Sequence, residues 1–137
     1  MALDLKVPIL VVDDSSTMTQ IIRSLLHRIG FNDIDAAKDG DAALKQLRCK
    51  KYGLVISDWN MEPMSGLDLL RRVRTDRVLE SIPFIMVTAE SKIDNVIAAK
   101  DAGVSDYIVK PFTAQTLRSK IETIFAEKLP LAPVASA

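Results

Sequence analysis

Cysteine is almost missing from this chain. Cys49 stands alone among 137 residues, which excludes an internal disulfide framework and a multi-cysteine metal site. It sits beside Arg48, Lys50 and Lys51, basic neighbours of the kind that activate a thiol modestly, but an incidental cysteine is the favoured reading. Charge of one sign is also lacking: 18 basic and 18 acidic side chains leave a formal net charge of +0. No global pull toward nucleic acid or an anionic membrane follows. No long apolar run opens the chain, and MALDLKVP carries acids, so it resembles neither a signal peptide nor a membrane anchor. A cytoplasmic location without membrane attachment is the expectation. The single histidine, His27, falls on the polar side of a helical pattern and reads as a surface residue.

With 48% hydrophobic and 26% charged residues, the composition is that of one soluble globular domain able to bury a core. Short apolar, often β-branched runs alternate with longer segments of helical period, five times over. The predicted strands are Pro8–Val12, Ile34–Ala37, Leu54–Ser57, Phe84–Val87 and Tyr107–Val109. Met18, Ile21, Ile22, Leu25, Leu26 and Ile29 recur at steps of three and four, giving one apolar helical stripe that stops at Gly30. Asp39-Gly40 opens the second helix, while Ser65 with Asp68 and Ser91 with Asp94 resemble capping boxes for the third and fourth. Thr113 caps a fifth helix whose buried face is Leu117, Ile121, Ile124 and Phe125. Residues 1–128 therefore read as one domain, and LPLAPVASA at 129–137 as a frayed tail.

Five strand–helix units in series imply a parallel sheet covered on both faces, a doubly wound α/β fold, because each right-handed crossover needs a helix to return the chain. Such sheets bind ligands beyond the carboxyl ends of their strands. Asp13 and Asp14 follow the first strand, Asp58 ends the third, Thr88-Ala89 follows the fourth and Lys110-Pro111 the fifth. All belong to one rim. Two carboxylates about 4 Å apart repel by roughly 4 kcal/mol at an effective dielectric near 20, so three together call for positive charge. Lys110 supplies one, and a hard divalent cation with all-oxygen ligands, Mg²⁺ with Mn²⁺ as substitute, would supply two more. A carboxylate beside Mg²⁺ and a lysine can act as a nucleophile toward a phosphoryl group.

The stretches LVVDDSSTM, VISDWNM, MSGLDLLRRVR, MVTAE, AAKDAG and YIVKPFTAQTL resemble the response-regulator receiver family, and within it the CheY-like chemotaxis regulators. The likeness spans roughly residues 7–128 and implies a flavodoxin-like sheet of order 2-1-3-4-5. It further implies that Asp58 accepts a phosphoryl group from a histidine kinase of the CheA type. Asp13, Asp14 and Asp58 with the Asn60 backbone carbonyl would organise Mg²⁺. Lys110, Thr88 and the Ala89 backbone amide would contact the phosphoryl oxygens, and Lys110-Pro111 resembles the site of a cis peptide. Tyr107 would move inward with Thr88, altering an output surface that includes Ile93, Val96 and Lys120. The implied role is a monomeric, stand-alone signalling switch, not a turnover enzyme, that binds a flagellar motor switch protein of the FliM type when phosphorylated.

Glu62-Pro63 places proline one position later than the familiar pattern, Ser15 replaces a bulky aromatic, and Ile93 and Val96 replace a lysine and an isoleucine. These departures bear on the site loop and on partner choice. A phosphate sink shares the same chemistry without a motor target. A phosphatase of the haloacid dehalogenase type also uses a nucleophilic aspartate, but wants a second aspartate where Asn60 stands. A flavodoxin-like nucleotide binder would face repulsion from the acidic rim. Trp59 should lie partly exposed at the edge of the site. Arg71, Arg72, Arg74 and Arg77 read as the solvated face of the third helix; aromatic residues are too sparse there for a nucleic-acid groove.

Overall fold

Apolar runs of four and five residues become strands here because both of their faces find cover. The computed structural model describes residues 4–89 and 93–128. Strands β1 (Ile9–Val12), β2 (Ile34–Ala37), β3 (Leu54–Asp58), β4 (Phe84–Thr88) and β5 (Asp106–Val109) alternate with helices α1 (Ser16–Ile29), α2 (Gly40–Cys49), α3 (Gly66–Thr75), α4 (Ile93–Asp101) and α5 (Ala114–Lys128). All pairings are parallel, in the order β2-β1-β3-β4-β5.

Alternation along each strand sorts side chains to the two faces. Ile9, Val11, Leu54, Ile56, Ile85 and Val87 pack with Ile22 and Leu26 of α1 and with Leu117 and Ile121 of α5. Leu10, Val12, Val55, Phe84 and Met86 pack with Leu44 and Leu47 of α2 and with Leu69, Leu70 and Val73 of α3. The helix caps follow from local chemistry. Asp39 Oδ1 accepts from the Ala42 amide at 2.8 Å, Ser65 Oγ from the Asp68 amide at 3.1 Å and Thr113 Oγ1 from the Thr116 amide at 3.1 Å. Gly30 closes α1 at φ +123°, donating to the carbonyls of Leu26 and His27; its positive φ is the reason for glycine there. Ser91 and the tail at 129–137 lie outside the described residues.

The bounds of four strands and two side-chain placements are corrected. Pro8 precedes β1, consistent with its lack of a ladder donor. β3 and β4 each run one residue longer than the predicted ranges, to Asp58 and Thr88, and β5 begins one residue early at Asp106. Ile21 is 47% exposed, because the buried stripe of α1 runs through Ile22 and Leu26 and leaves Ile21 at its edge. Arg74 does not share a solvated face with Arg71 and Arg72. It is half-buried, and its guanidinium donates to the backbone carbonyls of Gly103, Glu80 and Ile82. Its spacing of four from Leu70 places it on the inward side of α3.

His27 is exposed as expected, and Cys49 is exposed as well. Lys50 is engaged elsewhere than at the thiol. Its Nζ donates to Asp33 Oδ1 at 2.7 Å and to Asp35 Oδ2 at 2.9 Å, while the Tyr52 hydroxyl donates to the same Asp35 oxygen at 2.6 Å. The Tyr52 and Lys50 hydrogen bonds hold the Asp35 carboxyl below its ordinary range.

Truncating Ile56, fully buried in the central strand, to alanine should lower the unfolding free energy by about 2–5 kcal/mol. Ile21→Ser should change it by no more than about 0.5 kcal/mol. Urea denaturation of both variants measures the contrast.

Candidate functional site

The rim formed by the strand ends gathers its acidic groups through backbone pairing. The Asp13 amide extends the ladder beyond β1 by donating to the Ala37 carbonyl at 3.1 Å. Asp58 pairs with Val87 across β3 and β4, and the Trp59 amide donates to the Val87 carbonyl at 2.9 Å. Two adjacent parallel strands therefore deliver their carboxylates side by side. One carboxylate oxygen from each of Asp13, Asp14 and Asp58 lies within 4.8 Å of the others. Asp13 and Asp58 are buried, whereas Asp14 is exposed.

Lys110 enters this cluster from the end of β5. Its amide donates to the Thr88 carbonyl at 2.8 Å, and its Nζ stands 3.1 Å from Asp58 Oδ1. The Lys110–Pro111 peptide is cis. Thr88, the last residue of β4, is buried next to this strand end, and Ala89 beyond it is exposed. Asn60 is exposed in the loop after β3, and Trp59 is half-buried at the edge of the cluster. Asp13, Asp14, Asp58, Thr88 and Lys110 are thus brought to one rim.

The donor set suits a hard cation. It consists of oxygens, and Asp13 Oδ2 is buried with no hydrogen-bond partner among the described residues, while Asp13 Oδ1 accepts from the Ser15 amide at 2.9 Å. A buried carboxylate oxygen without a donor is costly unless a cation or water meets it. Burial pushes the Asp13 carboxyl up from 3.8 to about 6, with Asp58 and Asp14 adding to the rise and the Ser15 hydrogen bond and Lys110 opposing it.

The expected output residues belong to α4, β5 and α5. Tyr107 and Val96 are half-buried, and the Ile93 side chain is outside the described residues. Lys120 Nζ lies 5.5 Å from the centroid of the Tyr107 ring and donates to Asp106 Oδ1 at 3.2 Å. Asp106 was not singled out from sequence, because nothing local marks a partner on α5.

Gly66 was also missed as a site determinant. Its amide donates to the Trp59 carbonyl at 2.8 Å, and a Cβ there would collide with the Asp58 carbonyl oxygen and lie 2.8 Å from Met86 Sδ. The start of α3 can lie against the end of β3 only without a side chain. The signal available in sequence was the Ser-Gly pair opening that helix. In the intervening loop Met61 and Met64 are buried, while Glu62 and Pro63, joined by a cis peptide, are exposed. The departure at Glu62-Pro63 therefore sits on the crest of a loop held from beneath.

Gly66→Ala should destabilise the protein by about 1–3 kcal/mol through overpacking and shift the Trp59 emission maximum, measured by urea titration and fluorescence. For Asp13 the folded-state value of about 6 exceeds the ordinary 3.8, so the folded state holds the proton more tightly. Its favourable contribution is complete below the lower value and is lost as pH rises through the upper one. In metal-free buffer Asp13→Asn should therefore gain stability relative to wild type as pH rises from about 4 to 7, on the order of 1–2 kcal/mol. Parallel urea unfolding across that range measures the difference.

The chain is similar to known proteins in sequence and in fold. The profile of the response regulator receiver domain matches residues 9–122. The chain is 52% identical over 117 residues to the chemotaxis protein CheY of Pseudomonas aeruginosa, covering 85% of this chain and 94% of that one. It is 49% identical over 117 residues to CheY-3 of Vibrio cholerae, covering 85% and 90%. The solved structure of the chemotaxis response regulator CheY4 of Vibrio cholerae superposes with a TM-score of 0.80 at 28% identity, covering 87% of this chain and 98% of that one. The chain belongs to the response-regulator receiver family.

Proposed function

We propose that this protein is a phosphorylatable signalling receiver in chemotaxis, with Asp58 as the acceptor. The observation that carries the reading is the Lys110 ammonium 3.1 Å from Asp58 Oδ1, inside a cluster of three carboxylates whose oxygens lie within 4.8 Å. Asp58 is buried at the end of a rigid strand, so its carboxylate is aimed rather than mobile, which suits a reaction governed by positioning. The donor is the phosphohistidine of a CheA-type kinase. A carboxylate oxygen of Asp58 attacks phosphorus, the P–N bond breaks as the P–O bond of an acyl phosphate forms, and the imidazole leaves with the bonding pair and takes up a proton.

Asp13, Asp14 and Asp58 with the Asn60 backbone carbonyl would hold Mg²⁺, or Mn²⁺ in its place. When bound, the ion supplies positive charge against the phosphoryl oxygens and relieves carboxylate repulsion. Lys110 provides a second cation, and the Thr88 hydroxyl and Ala89 amide provide donors to the transferred group. A modification bearing about −1.5 to −2 charges at the rim biases the neighbouring Thr88 and, through it, the surface of Val96, Tyr107 and Lys120. The relatives are chemotaxis proteins, which supports a flagellar motor switch protein of the FliM type as the partner of that surface. With Asn60, not an aspartate, two positions beyond Asp58, no phosphomonoester turnover is expected.

Titration with Mg²⁺ followed by beryllofluoride should quench Trp59 fluorescence in two stages. Asp58→Asn should abolish phosphorylation from acetyl phosphate at the normal site, and a full-yield label elsewhere by mass spectrometry would refute the assignment. Lys110→Ala should keep the Mg²⁺ stage but lose the gain in motor-protein binding, measured by titration of the activated variant.

A further inference from the structure

Arg74 stands near the end of α3 and directs its guanidinium entirely at backbone. Nε donates to the Gly103 carbonyl at 2.8 Å, and one terminal nitrogen donates to the carbonyls of Glu80 at 3.0 Å and Ile82 at 2.7 Å. Hydrogen bonds from a charged donor are roughly twice as strong as neutral ones. Gly103 adopts φ +91°, and a Cβ there would lie 3.2 Å from Arg74 Nε, so the turn is shaped around the arginine. The same turn is stitched to β4. The Ser105 amide donates to the Phe84 carbonyl at 2.9 Å, and the Phe84 amide donates to Ser105 Oγ at 2.9 Å.

These ties fasten the C-terminal end of α4 at the rim opposite the acidic cluster. Phe84 opens β4 and Thr88 closes it, a span of about 13 Å at the usual strand rise. Along α4 the buried side chain among those described is Ala99, close to the fastened end, while Ile97 is 50% exposed. A helix of nine residues is about 13 Å long. With its C-terminal end held, and with Ala99 the buried side chain among those described from 95 to 101, the helix can tilt about that end, and a tilt of about 10° moves the other end by about 2 Å.

We propose that Arg74 is a positioning residue for signal output: it fixes the turn between α4 and β5 as the pivot about which α4 tilts when the Asp58 site is occupied. The proposal rests on the phospho-receiver reading of that site. The Nε bond is its crux. Lysine keeps a terminal cation for the Glu80 and Ile82 carbonyls but has no donor at the Nε position, so Arg74→Lys releases Gly103 selectively.

The test is hydrogen-exchange mass spectrometry with and without Mg²⁺ and beryllofluoride, on wild type, Arg74→Lys and Arg74→Ala, with Trp59 fluorescence reporting occupancy. In wild type, beryllofluoride should change exchange at residues 95–98 and leave 102–105 within about twofold. In Arg74→Lys the Trp59 response should persist at the same concentrations, while the beryllofluoride-dependent change spreads to 102–105 and reaches at least about tenfold. An equal change at 102–105 in wild type and variant overturns the pivot. So does a rise in exchange that is the same with and without beryllofluoride, which marks a structural brace alone. Absence of any Trp59 response in wild type overturns the receiver reading instead, and the pivot with it. If Arg74→Ala fails to fold by circular dichroism, the Arg74→Lys comparison decides.

Discussion

Like charges do not gather in a buried rim unless covalent and hydrogen-bonded geometry compels them. In this protein the compulsion comes from parallel ladders between β1, β3 and β4, which end in register and deliver Asp13, Asp14 and Asp58 to within 4.8 Å of one another. Each pair repels by a few kcal/mol at an intermediate dielectric, a sizeable part of the stability of an ordinary domain. The sheet tolerates this because its central strands bury apolar side chains on both faces. The Asp13 carboxyl, raised first by burial and then by its carboxylate neighbours, and its buried oxygen without a hydrogen-bond partner among the described residues mark where that rim is least satisfied. Lys110 answers part of it from the next strand end, and a divalent cation with a transferred phosphoryl group is the combination that would use the rest.

The two ends of the sheet are built differently. At the carboxyl ends, polar side chains converge with spare hydrogen-bonding and coordinating capacity. At the opposite rim, the Glu80, Ile82 and Gly103 carbonyls are satisfied by one arginine, and Phe84 is tied at both its amide and its carbonyl. A rigid base beneath a charged, incompletely satisfied rim suits a device whose signal is a local change of charge. On the proposed reading, displacement would be channelled toward α4 and the Tyr107–Lys120–Asp106 group.

Where periodicity carried the information, the sequence was sufficient. Two-sided apolar runs, helical stripes and the caps Asp39, Ser65 and Thr113 are local matters, and their locality made five parallel strand–helix units legible. Strand ends were less so: Asp58 and Thr88 belong to the ladder because their neighbours across the sheet pair with them, which no single strand reveals. Ile21 shows the same limit on a helix, since the width of the buried stripe depends on what packs opposite.

The chain by itself determined which residues are acidic, where each stands relative to its own strand, and hence that one rim would carry Asp13, Asp14, Asp58, Thr88 and Lys110. Those are consequences of residue type, period and crossover handedness, all short-range. Only the tertiary structure decided that Arg74 turns inward to backbone carbonyls, that Gly66 must lack a side chain beside the Asp58 carbonyl, and that Lys120 meets Asp106. Each of those depends on how separate elements of the fold are packed together, which no local pattern sets.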